Sequence, residues 1–184
     1  ISQSSQTMAT DCEQVILTKK PRKPRSSSTS TNTILSTSYI AVDADTDATS
    51  AGLYTYQVGV DEAGRGPLFG RVYTAAVILP PADDVSRPFN FSLLKDSKKF
   101  HSEKKIREAS DYIKEYAVAW AISYEEADVI DSLNIRRATL QCMRNSINTA
   151  IDGHVEEMKQ KNRPVPTFSD YLLLIDGNDF IPLG

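Results

Sequence analysis

Five consecutive apolar residues, Tyr171-Leu172-Leu173-Leu174-Ile175, stop abruptly at Asp176-Gly177-Asn178. A run this short, without polar alternation, is the pattern of a strand buried on both faces, found where helices cover a largely parallel sheet. That segment selects an α/β architecture, and the rest of the chain must supply neighbouring strands and covering helices. With 184 residues, 40% of them hydrophobic, there is material for one sizeable core.

The other elements can be read in turn. Tyr56-Gln57-Val58-Gly59-Val60 reads as a strand and Val72 to Leu79 as a second, stopped by Pro80-Pro81; the short glycine-rich link favours antiparallel pairing. A third strand comes either from Phe89 to Leu94 or from Ala117 to Ile122. Ser102 can cap a helix with Ile106, Ala109, Ile113 and Tyr116 on one face. Ser123 and Glu126 have capping-box spacing before Val129, Ile130 and Leu133. Asn134 can cap a longer helix carrying Leu140, Met143, Ile147 and Ile151. The expected fold is α/β, a mixed β-sheet flanked by helices.

Residues 1–52 are rich in Ser and Thr and lack sustained apolar periodicity, so the sequence predicts a disordered tail there and one folded domain over 53–184. Within the tail, Lys19-Lys20-Pro21-Arg22-Lys23-Pro24-Arg25 is a basic cluster, read as a nuclear-import signal, a nucleic-acid tether or a solvated linker. Position 1 is Ile, which suggests a fragment or a processed product unless Met8 is the start. The net charge of −3 argues against a protein that grips nucleic acid by bulk positive charge, so any such site must be a local patch. Two cysteines, Cys12 and Cys142, make no disulfide framework and fit a reducing compartment. No apolar run reaches the length of a membrane span, and the N-terminus lacks a secretory core. A soluble, monomeric, cytoplasmic protein is expected, with a nuclear location open through the basic cluster.

Chemistry concentrates in Asp61-Glu62-Ala63-Gly64-Arg65-Gly66-Pro67, two carboxylates at a strand end followed by a glycine-flanked arginine. Carboxylates suit hard cations such as magnesium or manganese, which take oxygen ligands and usually share them with substrate phosphates. Because successive strand residues face opposite ways, both acids reach one site only if the strand ends or bends at Glu62. Taken alone, such a pair is more often a solvated turn. Asp176, closing the buried strand, adds a third acid if the two strands are neighbours, since ligands on open sheets gather at strand ends.

Several alternatives fall away. Gly64, Gly66 and Gly70 lack the Gly-Lys-Ser/Thr ending of a P-loop and precede a strand. His101 and His154, the only histidines, read as surface residues and give no base for a Ser or Cys triad. Trp120 and Tyr124 could stack bases, but core packing is the better reading.

Asp61-Glu62-Ala63-Gly64-Arg65-Gly66-Pro67, Asp96-Ser97-Lys98-Lys99, Asn134-Ile135 with Ala138-Thr139-Leu140, and Asp176-Gly177-Asn178 together resemble the signature set of ribonuclease HII, in family order from about Tyr56 to Asn178. The resemblance implies a ribonuclease H-like fold and a four-carboxylate site for two divalent ions (Mg2+ or Mn2+). Asp61, Glu62 and Asp176 match three of the four acids. The fourth acid, a substrate-stacking tyrosine and the C-terminal helices have no counterpart before Gly184. It further implies cleavage of RNA in RNA–DNA hybrids and at ribonucleotides embedded in duplex DNA, leaving 5′-phosphate and 3′-hydroxyl ends. Asp61 and Asp176 would bridge the metals and Glu62 would complete one shell. Gly64, Arg65 and Gly66 would read the 2′-hydroxyl, which suits backbone that only glycine lets a ligand approach. Lys98 and Lys99 would meet backbone phosphates. Phe100, where the family usually has Leu, is expected to be a packing change. The rival reading is a hybrid-binding fragment with impaired catalysis.

Overall fold

The computed structural model describes residues 15–18, 55–67, 69–82 and 84–176. Among the described residues five strands and three α-helices follow in the order β1 (Val15–Thr18), β2 (Tyr56–Ala63), β3 (Val72–Ile78), α1 (Glu103–Tyr116), β4 (Ala119–Glu125), α2 (Ala127–Leu133), α3 (Ile135–Gln160) and β5 (Tyr171–Asp176). The strands form one sheet ordered β1-β5-β2-β3-β4. β5 runs parallel to both β1 and β2, whereas β2, β3 and β4 are antiparallel neighbours. The sheet is mixed, and the fold is α/β as the sequence predicts.

The apolar run at Tyr171–Ile175 takes the interior position its composition demands, between β1 and β2. Tyr171, Leu172, Leu173 and Ile175 are all buried. On one face of the sheet lies α3, whose Leu140, Met143, Ile147, Ala150 and Ile151 pack with Val58, Val60, Ala76, Ile78, Leu173 and Ile175 into the core. The 26-residue helix follows from the apolar spacing along it and from its cap: the Asn134 side chain accepts a hydrogen bond from the Arg137 N–H at 3.1 Å. Asn134 itself has φ +69° and ψ 156°, a sparsely populated conformation that glycine usually takes, and at this residue α2 turns directly into α3.

Several expectations need correction. The third strand comes from the Ala117 segment, as β4. Phe91–Leu93 is a single 3-10 turn, because Asn90 caps it through Ser92 N–H at 3.1 Å and diverts the backbone from a ladder. The Ser123 capping box does not form: Ser123 lies inside β4, and α2 starts after Glu126, which makes no side-chain cap. β1 lies within the segment read as a disordered tail. Val15-Ile16-Leu17-Thr18 is too short to show a period, and only the parallel edge of β5 gives it a partner. The other residues of that segment, including Cys12 and the basic cluster from Lys19 to Arg25, lie outside the described residues, as do Gly177 and Asn178. Among the described residues no helix is long and apolar enough to cross a membrane.

The opposite face of the sheet is covered less completely. α1 lies over β3 and β4 without burying any of its residues fully, and an apolar groove of about 300 Å³ runs beneath it, lined by Ala75, Phe100, Ile106, Ile113, Trp120 and Ile122 among others. Phe100 is half-buried and lines this groove.

Candidate active site

The C-terminal ends of the parallel strands β2 and β5 bring two of the three candidate acids together. Val60 pairs in register with Ile175, so Asp61 and Asp176 follow one another across adjacent strands, with backbones about 4.8 Å apart. Residues two apart on a strand share a face, and Val58 and Val60 point into the α3 core. Asp61 therefore points to the face away from α3, and Asp176, one residue beyond buried Ile175, does the same. The Glu62 N–H donates to Asp61 Oδ1 at 2.8 Å and orients the first carboxylate.

Glu62 stands apart from this pair. The sequence reading requires a bend at Glu62, but β2 continues in register to Ala63, so Glu62 faces the α3 side beside buried Thr74. Its Oε1 accepts from Arg65 Nη1 at 3.1 Å, while Oε2 is buried without a hydrogen-bond partner. Burying an ionised oxygen without a partner is unfavourable, and such an atom calls for a cation or water. Among the described residues no three His, Cys, Asp or Glu side chains gather at metal-ligand spacing. Two carboxylates side by side suit a hard divalent cation at the Asp61 and Asp176 pair, whereas Glu62's unpartnered oxygen lies on the other face of the sheet.

The Gly64-Arg65-Gly66 turn follows directly. Gly64 has φ +93°, and a Cβ placed on it would lie 2.6 Å from the Arg71 carbonyl oxygen. Both facts require glycine. Gly66 differs, since a Cβ there would meet nothing within 4 Å. Its backbone is open to an approaching ligand. Asp96 caps the 3-10 turn of Ser97-Lys98-Lys99 by accepting from the Lys98 N–H at 3.1 Å, and both lysines are exposed. Lys95, just before this turn, lines the same groove as Ala75, the register partner of Asp61.

Three residues set aside in the sequence sit differently from expectation. His154 is buried, 2% exposed, with Nδ1 2.8 Å from the Tyr171 hydroxyl. Its position on the inner face of α3 was hidden by the charged residues around it. Burial holds its imidazole below the ordinary histidine range and pushes the Tyr171 phenol up. Trp120 and Tyr124, expected in the core, are 41% and 50% exposed because β4 alternates and both point away from α3. Cys142 is buried beside Thr74, which donates to its Sγ at 3.2 Å; burial raises its thiol pKa, so it is not a reactive thiolate. Arg71, which sequence reasoning passed over, pairs with Glu126 and lies 4.5 Å from the centre of the Tyr124 ring. Nothing in the local sequence signals this contact, because Arg71 and Glu126 are joined only by the β3–β4 pairing.

The family model described as Ribonuclease HII matches residues 58–170, more than half of the chain. A ribonuclease HII of Janthinobacterium sp. (strain Marseille) is 47% identical over 121 residues, covering 65% of this chain and 46% of that protein. The ribonuclease HII of Nitrosomonas europaea is 42% identical over 120 residues, covering 65% and 45%, and that of Hyphomonas neptunium is 42% identical over 123, covering 66% and 54%. A crystal structure of a mutant Bst ribonuclease HIII superposes with TM-score 0.45 at 18% identity, over 55% of this chain and 33% of that one. The chain thus spans about half the length of the curated relatives it matches. With this match running from within β2 to the residue before β5, over more than half of its length, the chain belongs to the ribonuclease HII family.

Proposed function

We propose that this protein is an endonuclease that hydrolyses the RNA strand of RNA–DNA hybrids and cuts at ribonucleotides embedded in duplex DNA. The observation that carries the proposal is the side-by-side placement of Asp61 and Asp176 at the ends of adjacent parallel strands. In this reading Asp61 and Asp176 would hold the metal ions, and Glu62 would join one shell only if the end of β2 bends at Glu62 and releases its carboxylate from Arg65. Two bound magnesium or manganese ions would supply an activated water and charge stabilisation at the leaving oxygen, giving 5′-phosphate and 3′-hydroxyl ends. Gly64, Arg65 and Gly66 present backbone groups to the 2′-hydroxyl, with the open side of Gly66 as the approach. Lys98 and Lys99 meet backbone phosphates and add affinity that does not depend on sequence. A reducing, intracellular setting, cytoplasmic or nuclear, suits the buried free thiol of Cys142, and a monomer suffices for the chemistry.

One observation favours a second reading. Because no three candidate ligands converge among the described residues, a hybrid-binding fragment with impaired catalysis is the alternative. Cleavage of a labelled duplex with one embedded ribonucleotide, and of a continuous hybrid, separates the two. With magnesium or manganese the parent chain is expected to cut both and to spare all-DNA duplex. Asp61→Asn and Asp176→Asn are each expected to slow cutting roughly a thousandfold, as loss of several kcal/mol of charge stabilisation implies. Hybrid binding without metal-dependent cutting by the parent would establish the impaired fragment instead.

A further inference from the structure

The face of the sheet that carries Asp61 also carries an aromatic cluster that the proposed chemistry does not use, in which the two tyrosine rings are inclined at 46° and an arginine lies over one of them. Tyr73 and Tyr124 are register partners on β3 and β4, with ring centres 5.7 Å apart, and the Arg71 guanidinium lies 4.5 Å from the Tyr124 ring centre. Glu126 pins that guanidinium from the side: Arg71 Nε donates to Oε2 at 2.8 Å and Nη2 approaches Oε1 at 2.6 Å. This paired carboxylate holds the Arg71 pKa well above its usual value. Two consequences follow. Glu126 occupies the donor edge of the guanidinium and offsets its charge, so the group is poorly suited to clamp a phosphate. Its plane is fixed in place, and with 44% of the side chain exposed it remains accessible. A guanidinium held in place over an aromatic ring, with a second ring beside it, offers a flat apolar surface against which another flat group can pack.

The place of this stack indicates what that group is. The Arg71 carbonyl oxygen is the atom against which Gly64 packs, so the stack adjoins the glycine turn. Tyr73 pairs with Ala63, one strand across and two residues along from Asp61, about 8 Å away by strand geometry. Bases inside a duplex are already stacked and present only their edges. We propose that Arg71, Tyr124 and Tyr73 form a stacking platform for an unpaired nucleobase flanking the hybrid. The protein would then bind substrates with a single-stranded extension better than blunt ones. The inference rests on the reading of this face as the hybrid-binding site.

The test uses the full 184-residue chain and two hybrid duplexes, one blunt and one with a single-stranded extension bearing a fluorescent adenine analogue. Arg71→Lys keeps the charge but removes the plane, and Tyr124→Thr removes the ring while keeping a residue suited to a strand. Thermal melting establishes that each variant is folded, and Arg71→Lys decides the matter if Tyr124→Thr is not. The parent is expected to bind the extended duplex roughly tenfold more tightly than the blunt one, with quenched fluorescence, as about 1–3 kcal/mol per stacked base implies. Both variants are expected to lose that advantage and the quenching while cutting the blunt duplex like the parent. Equal affinity of the parent for both duplexes, or an advantage retained in Arg71→Lys, overturns the platform. Quenching lost in Arg71→Lys, in a parent that cuts neither duplex, upholds the platform and removes the proposed catalysis.

Discussion

Adding one methyl group at each end of the Gly64-Arg65-Gly66 turn should separate fold from function. At Gly64, alanine meets two penalties. A left-handed φ of +93° costs an L-residue about 1–2 kcal/mol. The new Cβ would also lie 2.6 Å from the Arg71 carbonyl oxygen, which belongs to backbone leading into β3 and cannot rotate away. Relieving that overlap requires the turn to separate from β3, and strain of this kind adds about 1–2 kcal/mol. Gly64→Ala is therefore expected to lose about 2–4 kcal/mol of stability. At Gly66 no atom lies within 4 Å of the added Cβ, so Gly66→Ala should stay within about 0.5 kcal/mol of the parent. If the open backbone there receives the substrate ribose, Gly66→Ala should nevertheless lose hybrid affinity. Chemical denaturation gives the stabilities, and binding to a hybrid and to an all-DNA duplex gives the function. Equal stability of the two variants would refute the packing argument. A Gly66→Ala protein with unchanged preference for hybrid would refute the role assigned to that backbone.

Two further outcomes follow from the core. Ile147 is fully buried where α3 meets the sheet, so Ile147→Ala should cost about 2–5 kcal/mol by denaturant titration; a loss below 1 kcal/mol would mean that α3 does not dock as described. His154 is buried with a folded-state pKa held below its unfolded value of 6.5, chiefly by desolvation. The unfolded chain therefore binds the proton first as pH falls. Stability should be complete above about pH 6.5 and decline below it, by at most about 1.4 kcal/mol per pH unit for one proton, until the folded pKa is passed. His154→Gln should flatten that part of the profile, and an unchanged slope would remove His154 as its source.

Much of the architecture is legible in the sequence because it depends on local pattern. The uninterrupted run Tyr171–Ile175 is too short for a helix and has the pattern of an interior strand, and the apolar spacing from Leu140 to Ile151 behind the Asn134 cap is that of a long helix with one buried side. An acidic pair before a glycine turn is by itself more often a solvated turn, so the family resemblance rests on the four motifs that start at Asp61, Asp96, Asn134 and Asp176, taken together and in that order. Tertiary structure decided which groups share a face. Only the β2–β5 register sets Asp61 beside Asp176, and only the continuation of β2 through Ala63 turns Glu62 to the other side. The exposure of Trp120 and Tyr124 and the burial of His154 also depend on which side α3 covers, a long-range fact absent from any local window. The same holds for the Arg71–Glu126 pair, whose members are 55 residues apart in the chain and meet only because β3 and β4 are paired. Periodicity records how much of each element is buried, whereas the partner across the sheet is fixed by pairing between distant segments.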